Sequence, residues 1–390
     1  MRSRSGEISD SIISDEHRML RDETRKFVDN EVRPEASERD PNKEPMSDEL
    51  IEKLAKMGFF GILIDEEYGG LGLDLMAYAL IAEELSRGWL SVGSIIARGQ
   101  SLAGATEEQK AHYLPKMATG EMLKSIAISE PEAGSDVANM QTTAVRDGDE
   151  YILNGTKMWI TFAKESDFIL TYAVTDPDAE PAHRGISGFI VEKPSGTFDR
   201  DGLSGSPVNK IGYHGWETWQ VYFDDVRVDV DKLVGDEEGK GFYQIMEFFE
   251  EGRVHTAARA VGLARASLED SLQYATERNQ FDEPISNFQA IRFKLAEMAT
   301  KTEAARALTL LVAQAVDAGE RADAEAAMAK LFASDIAEEV TSEGIQIHGG
   351  YGYTTEFDVE RYWRDARLTK IFEGTNEIQK RIIADRLLSD

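Results

Sequence analysis

Apolar positions recur at helical spacing at both ends of the chain, while the middle third alternates in the manner of strands. In residues 9–122, Ile51, Leu54 and Met57 fall three apart and the stretch 76–85 keeps a continuous apolar face, which predicts helices. Tyr68-Gly69-Gly70-Leu71-Gly72 is too rich in glycine for a helix interior and lacks the GxGxxG order of a dinucleotide loop, so it reads as a connection. Strands are expected at 125–129, 151–161, 168–174, 186–192 and 220–228, with Asn154-Gly155 as a two-residue hairpin turn inside the second run. The helical period then returns, with Ala257, Val261, Ala264, Leu268 and Leu272 on one stripe and Phe288, Ile291, Leu295 and Met298 on another. We therefore expect three units, 1–122 helical, 123–235 a β domain and 236–390 a helical bundle. The absence of alternating βαβ units argues against a Rossmann fold or a β/α barrel.

At 390 residues and 42% hydrophobic composition the chain can bury a large core. Its 72 acidic residues against 43 lysines and arginines give a formal charge of -29, which repels nucleic acid phosphate and points away from DNA or RNA. So acidic a surface suits a salt-accumulating, halophilic cytoplasm, where molar salt screens the self-repulsion. Cysteine is absent, so disulfides, thiolate nucleophiles and Cys-based metal sites are excluded, and the six histidines show no HExxH or other ligand spacing. No apolar run reaches the length of a membrane span or signal peptide, and the expected location is cytoplasmic.

Five segments have the residue types for chemistry. The loop Ser129-Glu130-Pro131-Glu132-Ala133-Gly134-Ser135-Asp136 follows a strand and can present backbone N–H groups and hydroxyls to a ligand, or be a solvated turn. In Lys157-Met158-Trp159-Ile160-Thr161, period two places Trp159 and Thr161 on one face; an aromatic beside a hydroxyl would suit a flavin ring, though a buried core tryptophan is the commoner role. Arg278-Asn279-Gln280-Phe281 ends a helix, where arginine either grips a pyrophosphate or answers the helix dipole. Ile347-His348-Gly349-Gly350-Tyr351-Gly352-Tyr353 lies between two helices and lets backbone pass close to a phosphate chain or another subunit. Finally, Glu373-Gly374-Thr375-Asn376-Glu377 precedes a helix capped by Thr375 or Asn376, leaving Glu373 just outside its start.

Taken in order, these segments resemble the acyl-CoA dehydrogenase family, from about Glu16 to Leu388, through ISEPEAGSD at 128–136, KMWIT at 157–161, YATERNQF at 274–281, IQIHGGYGY at 345–353 and RDARLTKIFEGTNEIQ at 364–379. The resemblance implies a mainly α fold with a central β-barrel: an N-terminal helical domain, the barrel and a C-terminal four-helix bundle, assembled as a homotetramer. It implies non-covalently bound FAD touched by Ser129, Ser135, Trp159 and Thr161. Arg278, Phe281, Gln346 and Gly350 would hold the pyrophosphate and adenosine part, some across a subunit boundary, with Thr375 and Glu377 near the adenine half. Ser135, Arg253 and Gly374 would face the acyl-CoA substrate, Glu373 would be the catalytic base, and an electron-transfer flavoprotein the electron acceptor. Some relatives carry the base immediately before an arginine equivalent to Arg253; that position here is Gly252. Glu250 and Glu251, nearby, read as supporting or surface groups. Departures from the family pattern are Asp282 in place of a usual glycine, a shortened stretch between Ser91 and Glu107, and the bulky Trp216. The last two imply a short or branched acyl chain. Arg87 and Arg98 flank the short stretch and either form surface ion pairs or receive the distal carboxylate of a dicarboxylic acyl group such as methylsuccinyl or glutaryl. A flavin oxidase or monooxygenase on the same fold and a catalytically silent binding protein are the competing readings.

Overall fold

The computed structural model describes residues 9–389, the side chain of Glu250 excepted. Helices come first: α1 (Asp15–Phe27), α2 (Arg33–Arg39), α3 (Asp48–Lys56), α4 (Leu75–Gly88), α5 (Leu90–Ile95) and α6 (Glu107–Ala118). Ser14, Ser47, Asp74 and Thr106 each cap a helix by accepting from a backbone N–H one turn in, which satisfies donors that the helix leaves open. The expected repeat at Ile51 and Leu54 falls on α3, while Met57 ends that helix and is exposed.

Helix α4 is buried on every side, so it has no solvent face on which to place charge. Its Glu83, Glu84 and Arg87 are compensated internally. The Glu84 carboxylate accepts from Arg25 at 2.8 Å, Arg87 at 2.9 Å and Arg265 at 2.8 Å. Burial alone would raise its pKa, but the three guanidiniums hold it well below the usual carboxylate range. Arg87 also meets Asp29 at 2.5 Å and Glu269 at 3.2 Å, so it is a buried member of this network and neither a surface pair nor a substrate ligand.

The middle of the chain forms one curled seven-stranded sheet from β1 (Lys124–Ala127), β2 (Thr143–Asp147), β3 (Glu150–Thr161), β4 (Phe168–Val174), β5 (Ile186–Glu192), β6 (Leu203–Pro207) and β7 (Thr218–Asp229). Strand order is β1-β4-β2-β3-β7-β6, with β5 on the other pairing of β4. The expected hairpin at Asn154-Gly155 is absent. Residues 150–161 run on as a single strand, and the real turn is at Gly148, between β2 and β3. Gly155 is needed because a β-carbon there would lie 2.5 Å from the Thr142 hydroxyl, and it marks a register shift against β7. Asn154 is engaged sideways, exchanging hydrogen bonds of 2.9 Å with Asp225.

Beyond the sheet run α7 (Gly241–Glu277), a small hairpin of β8 (Asn279–Gln280) and β9 (Glu283–Pro284), α8 (Gln289–Asp317), α9 (Asp323–His348), α10 (Val359–Thr369) and α11 (Asn376–Leu388). The β8–β9 turn holds Phe281 at φ 53° and Asp282 at φ 67°, the left-handed pair that a two-residue hairpin requires. Asp tolerates that conformation better than most side chains, so Asp282 keeps the turn that a glycine would make. Among the described residues no helix is long and apolar enough to cross a membrane, and no cluster of potential metal ligands is present.

Lys124, at the start of β1, is fully enclosed and donates to the Ser101 carbonyl. Burial, reinforced by repulsion from Arg98, pushes its ammonium down to about 7. A base whose pKa falls on folding costs stability below that value and stops costing it as pH rises towards the unfolded pKa near 10.5. Lys124→Met is therefore expected to raise the melting temperature at pH 6 and to change it little at pH 10, as scanning calorimetry at fixed salt would read.

Candidate active site

The residue to which the sequence motifs converge, Glu373, stands in the turn between α10 and α11 with φ 52°, left-handed backbone that costs a residue with a β-carbon roughly 1–2 kcal/mol. The turn is over-determined, which is why it persists. Thr375 caps α11 through the Ile378 N–H. The buried Lys330 donates to the Gly374 carbonyl at 2.8 Å and to Asn376 Oδ1 at 3.0 Å, and Gln379 adds a bond to the same carbonyl at 3.0 Å. Burial pushes Lys330 down to about 8 despite the nearby carboxylate of Glu373.

The strained turn aims the carboxylate of Glu373 at one face of α7, leaving its side chain 20% exposed. Thr256 Oγ1 donates to one oxygen at 2.8 Å and Arg259 to the other at 2.5 Å. Gly252, Thr256 and Arg259 are spaced four and three apart, hence stacked on a single helical face. A β-carbon on Gly252 would lie 2.9 Å from the Glu373 carboxylate, so the two alternative base positions point into one space. Arg253 is buried on the next position of the helix, and the side chain of Glu250 lies outside the described residues.

Arg259 reaches on to Ser94 Oγ of α5 at 2.7 Å, and its guanidinium lies 4.6 Å over the Phe372 ring. Tyr213 meets that ring edge-on at 6.3 Å. His255 stacks on Tyr78 and bonds the Gly93 carbonyl at 2.8 Å; burial pushes it well below its ordinary pKa, so it is neutral. Thr256, Arg259 and Ser94 escaped the sequence reading because the apolar stripe of α7 drew attention to its other face. Their signal was the glycine, threonine and arginine at helical spacing.

Ser129 and Trp159 are brought together, since the Ser129 carbonyl accepts the Met158 N–H at 2.8 Å. Trp159 is 58% exposed, which overturns the core-tryptophan expectation. Its φ of 65° and the register shift between Lys157 and Ile160 form a bulge, and the burial pattern, with Trp159 exposed, Ile160 buried and Thr161 half-buried, keeps the alternation that sets Trp159 and Thr161 on one side. Thr161 is half-buried, 3.3 Å from the Thr218 hydroxyl, and Ser135 is exposed beside Gly134, where nothing lies within 4 Å of an added β-carbon. A flat exposed aromatic, serine and threonine hydroxyls and an open glycine loop fit an isoalloxazine ring.

A second group lies elsewhere. Arg278, Gly350 and Tyr351 line an open groove of about 520 Å³ at the far end of α7, with Arg278 5.6 Å from the Tyr351 ring. Gly349 and Gly350 leave their backbone uncovered, Phe281 is 88% exposed and Gln346 is exposed, a surface suited to a phosphate chain. Counting from Gly252 to Arg278 at the helical rise puts roughly 39 Å between this groove and Glu373. The structure thus divides the expected cofactor contacts into two sets. Thr375 stays with Glu373, half-buried in the turn, and Glu377 is exposed on the first turn of α11.

A helical lobe, a curled sheet and a long-helix bundle, with one carboxylate fixed at Glu373 and an exposed indole beside serine and threonine hydroxyls on the sheet, fit a flavin-dependent dehydrogenase. The chain belongs to the acyl-CoA dehydrogenase family: residues 14–121, 125–226 and 239–388 match the models of its N-terminal, middle and C-terminal domains. It is an FAD-dependent oxidoreductase acting on CH–CH bonds. It is 42% identical over 385 residues to (2S)-methylsuccinyl-CoA dehydrogenase of Cereibacter sphaeroides, covering 96% of this chain and 70% of that one. It is 40% identical over 382 residues to the caffeyl-CoA reductase-Etf complex subunit CarC of Acetobacterium woodii, covering 96% and 99%. Among solved structures, butyryl-CoA dehydrogenase from Megasphaera elsdenii superposes with a TM-score of 0.91 at 36% identity over 97% of this chain and 99% of that one.

Proposed function

We propose that the protein dehydrogenates the Cα–Cβ bond of an acyl-CoA thioester to the trans-2-enoyl-CoA, with Glu373 as the base that takes the α-proton. The observation that carries this is the Glu373 carboxylate, fixed by a strained turn and held on both oxygens by Thr256 and Arg259. A base held in place beforehand lowers the barrier because little reorganisation remains at proton transfer. FAD, when bound, accepts the hydride that leaves the β-carbon.

In this reading Trp159 supports the flavin ring and Thr161, Ser129 and Ser135 bond its edge, with Ser135 and Gly374 lining the thioester and Arg253 buttressing the substrate side. The Glu373 backbone N–H faces the thioester oxygen, an oxyanion-hole role. Arg278, Phe281, Gln346 and Gly350 serve the phosphate and adenosine part of a flavin in another copy of the chain, with Thr375 and Glu377 near the adenine half; the separation along α7 supports this, and the assembly is a homotetramer. We place the enzyme in the cytoplasm of a salt-accumulating cell, which the charge of -29 supports. The natural electron acceptor is an electron-transfer flavoprotein, as the relative in an Etf complex suggests. Turnover with a short acyl-CoA should yield a product two hydrogens lighter and reduce electron-transfer flavoprotein. Hydrogen peroxide formed at the rate of substrate loss would instead establish an oxidase.

A further inference from the structure

The space in front of Glu373 has more positive charge than a hydrocarbon tail needs. Arg98 ends the short turn after α5, four residues beyond the Ser94 that holds Arg259. Arg98 is desolvated, with Tyr213, Glu373, Arg259 and Tyr78 as its electrostatic neighbours, and burial lowers its pKa. Among the described residues no carboxylate stands within ion-pairing distance of it, in contrast to Arg87, which has three. Glu251, two turns before Arg259 on α7, is an electrostatic neighbour of Lys124. One guanidinium is therefore left over beside a carboxylate that Arg259 already occupies. When Glu373 takes a proton, even that negative charge disappears, and the partly buried Arg98 is left with the buried Arg259 as a neighbouring cation. An uncompensated buried charge is strongly disfavoured unless a ligand supplies the counter-ion.

We propose that the acyl group bound here carries a second carboxylate, beyond the Cα–Cβ pair that is oxidised, and that Arg98 receives it. The substrate class is thus a monothioester of a short diacid. This rests on the dehydrogenase reading above and adds the identity of the acyl chain. The second carboxylate is unchanged by the reaction: one proton leaves Cα for Glu373, one hydride leaves Cβ for FAD, and a C=C bond forms. Trp216, which donates to the Ser91 carbonyl at 2.7 Å, closes the same region against long chains.

The test uses the FAD-loaded enzyme with glutaryl-CoA and 2-methylsuccinyl-CoA, each beside its terminal amide, which keeps the length and loses the charge. We expect at least one acid to exceed its amide by about 100-fold or more in kcat/KM, chiefly through KM, because a site built for a polar group rejects the analogue lacking it. Arg98→Gln should collapse that ratio to a few-fold and Arg98→Lys should restore part of it. Acid and amide reacting alike in the parent enzyme would overturn the proposal without any variant. So would Arg98→Gln slowing both in the same proportion, as expected if the guanidinium only steadies enolate charge. In both cases the dehydrogenase reading survives. If none of these thioesters, nor butyryl-CoA, reduces the flavin, that reading falls and takes this proposal with it.

Discussion

Glu373→Gln should retain FAD and fold normally, yet reduce its flavin with substrate about 10³-fold more slowly or worse, the loss expected when a positioned base is removed. The amide is nearly isosteric and can still accept from Arg259, so the turn held by Lys330 and Gln379 has no reason to move. Stopped-flow mixing under nitrogen would measure the rate, and the flavin-to-protein absorbance ratio would show that the cofactor is retained. By comparison, Thr256→Val removes one hydrogen bond to the base and leaves the carboxylate. Its effect should be nearer ten-fold, the scale of a single hydrogen bond to a charged group.

Glu84→Ala should have the largest effect on stability, about 3–5 kcal/mol, because it takes from Arg25, Arg87 and Arg265 the one carboxylate they share and leaves a buried vacancy among excess positive charge. Urea unfolding at constant salt would read this as a lower midpoint. The parent should also lose this contribution in acid. The Glu84 pKa is depressed on folding, so its stabilisation is present above about pH 4.5 and is lost as pH falls towards the folded value, whereas the variant lacks that component of the acid dependence. Being buried, the network should respond less to salt than the exposed pairs of this acidic protein do.

How much of this was legible in the sequence depended on whether a residue's role was local. Helices α4 and α7 to α9 were plain because a long periodic pattern is a property of the segment itself. Asn154-Gly155 misled because its glycine answers the Thr142 side chain on a neighbouring strand, a tertiary demand identical in sequence to a turn signal. The β8–β9 hairpin was hidden for the opposite reason, as Phe281-Asp282 takes two left-handed residues without a glycine or asparagine. At the site, Glu373 was identified by the company of its motif, while nothing local distinguished it from a solvated carboxylate. Arg87 and Arg98 looked alike as sequence. Only the packing of α4, α7 and the turn after α1 shows that the first is ion-paired with three carboxylates and the second with none among the described residues.

The central claim is that Glu373 draws the α-proton of a CoA thioester so that the bound flavin is reduced. Anaerobic titration of the FAD-loaded protein in molar potassium chloride with short acyl-CoAs, followed at the flavin absorption band, tests it directly. The account predicts stoichiometric bleaching by at least one thioester in the parent and none on the same timescale in Glu373→Gln. A flavin that no thioester bleaches, or one bleached equally fast in the variant, would contradict it.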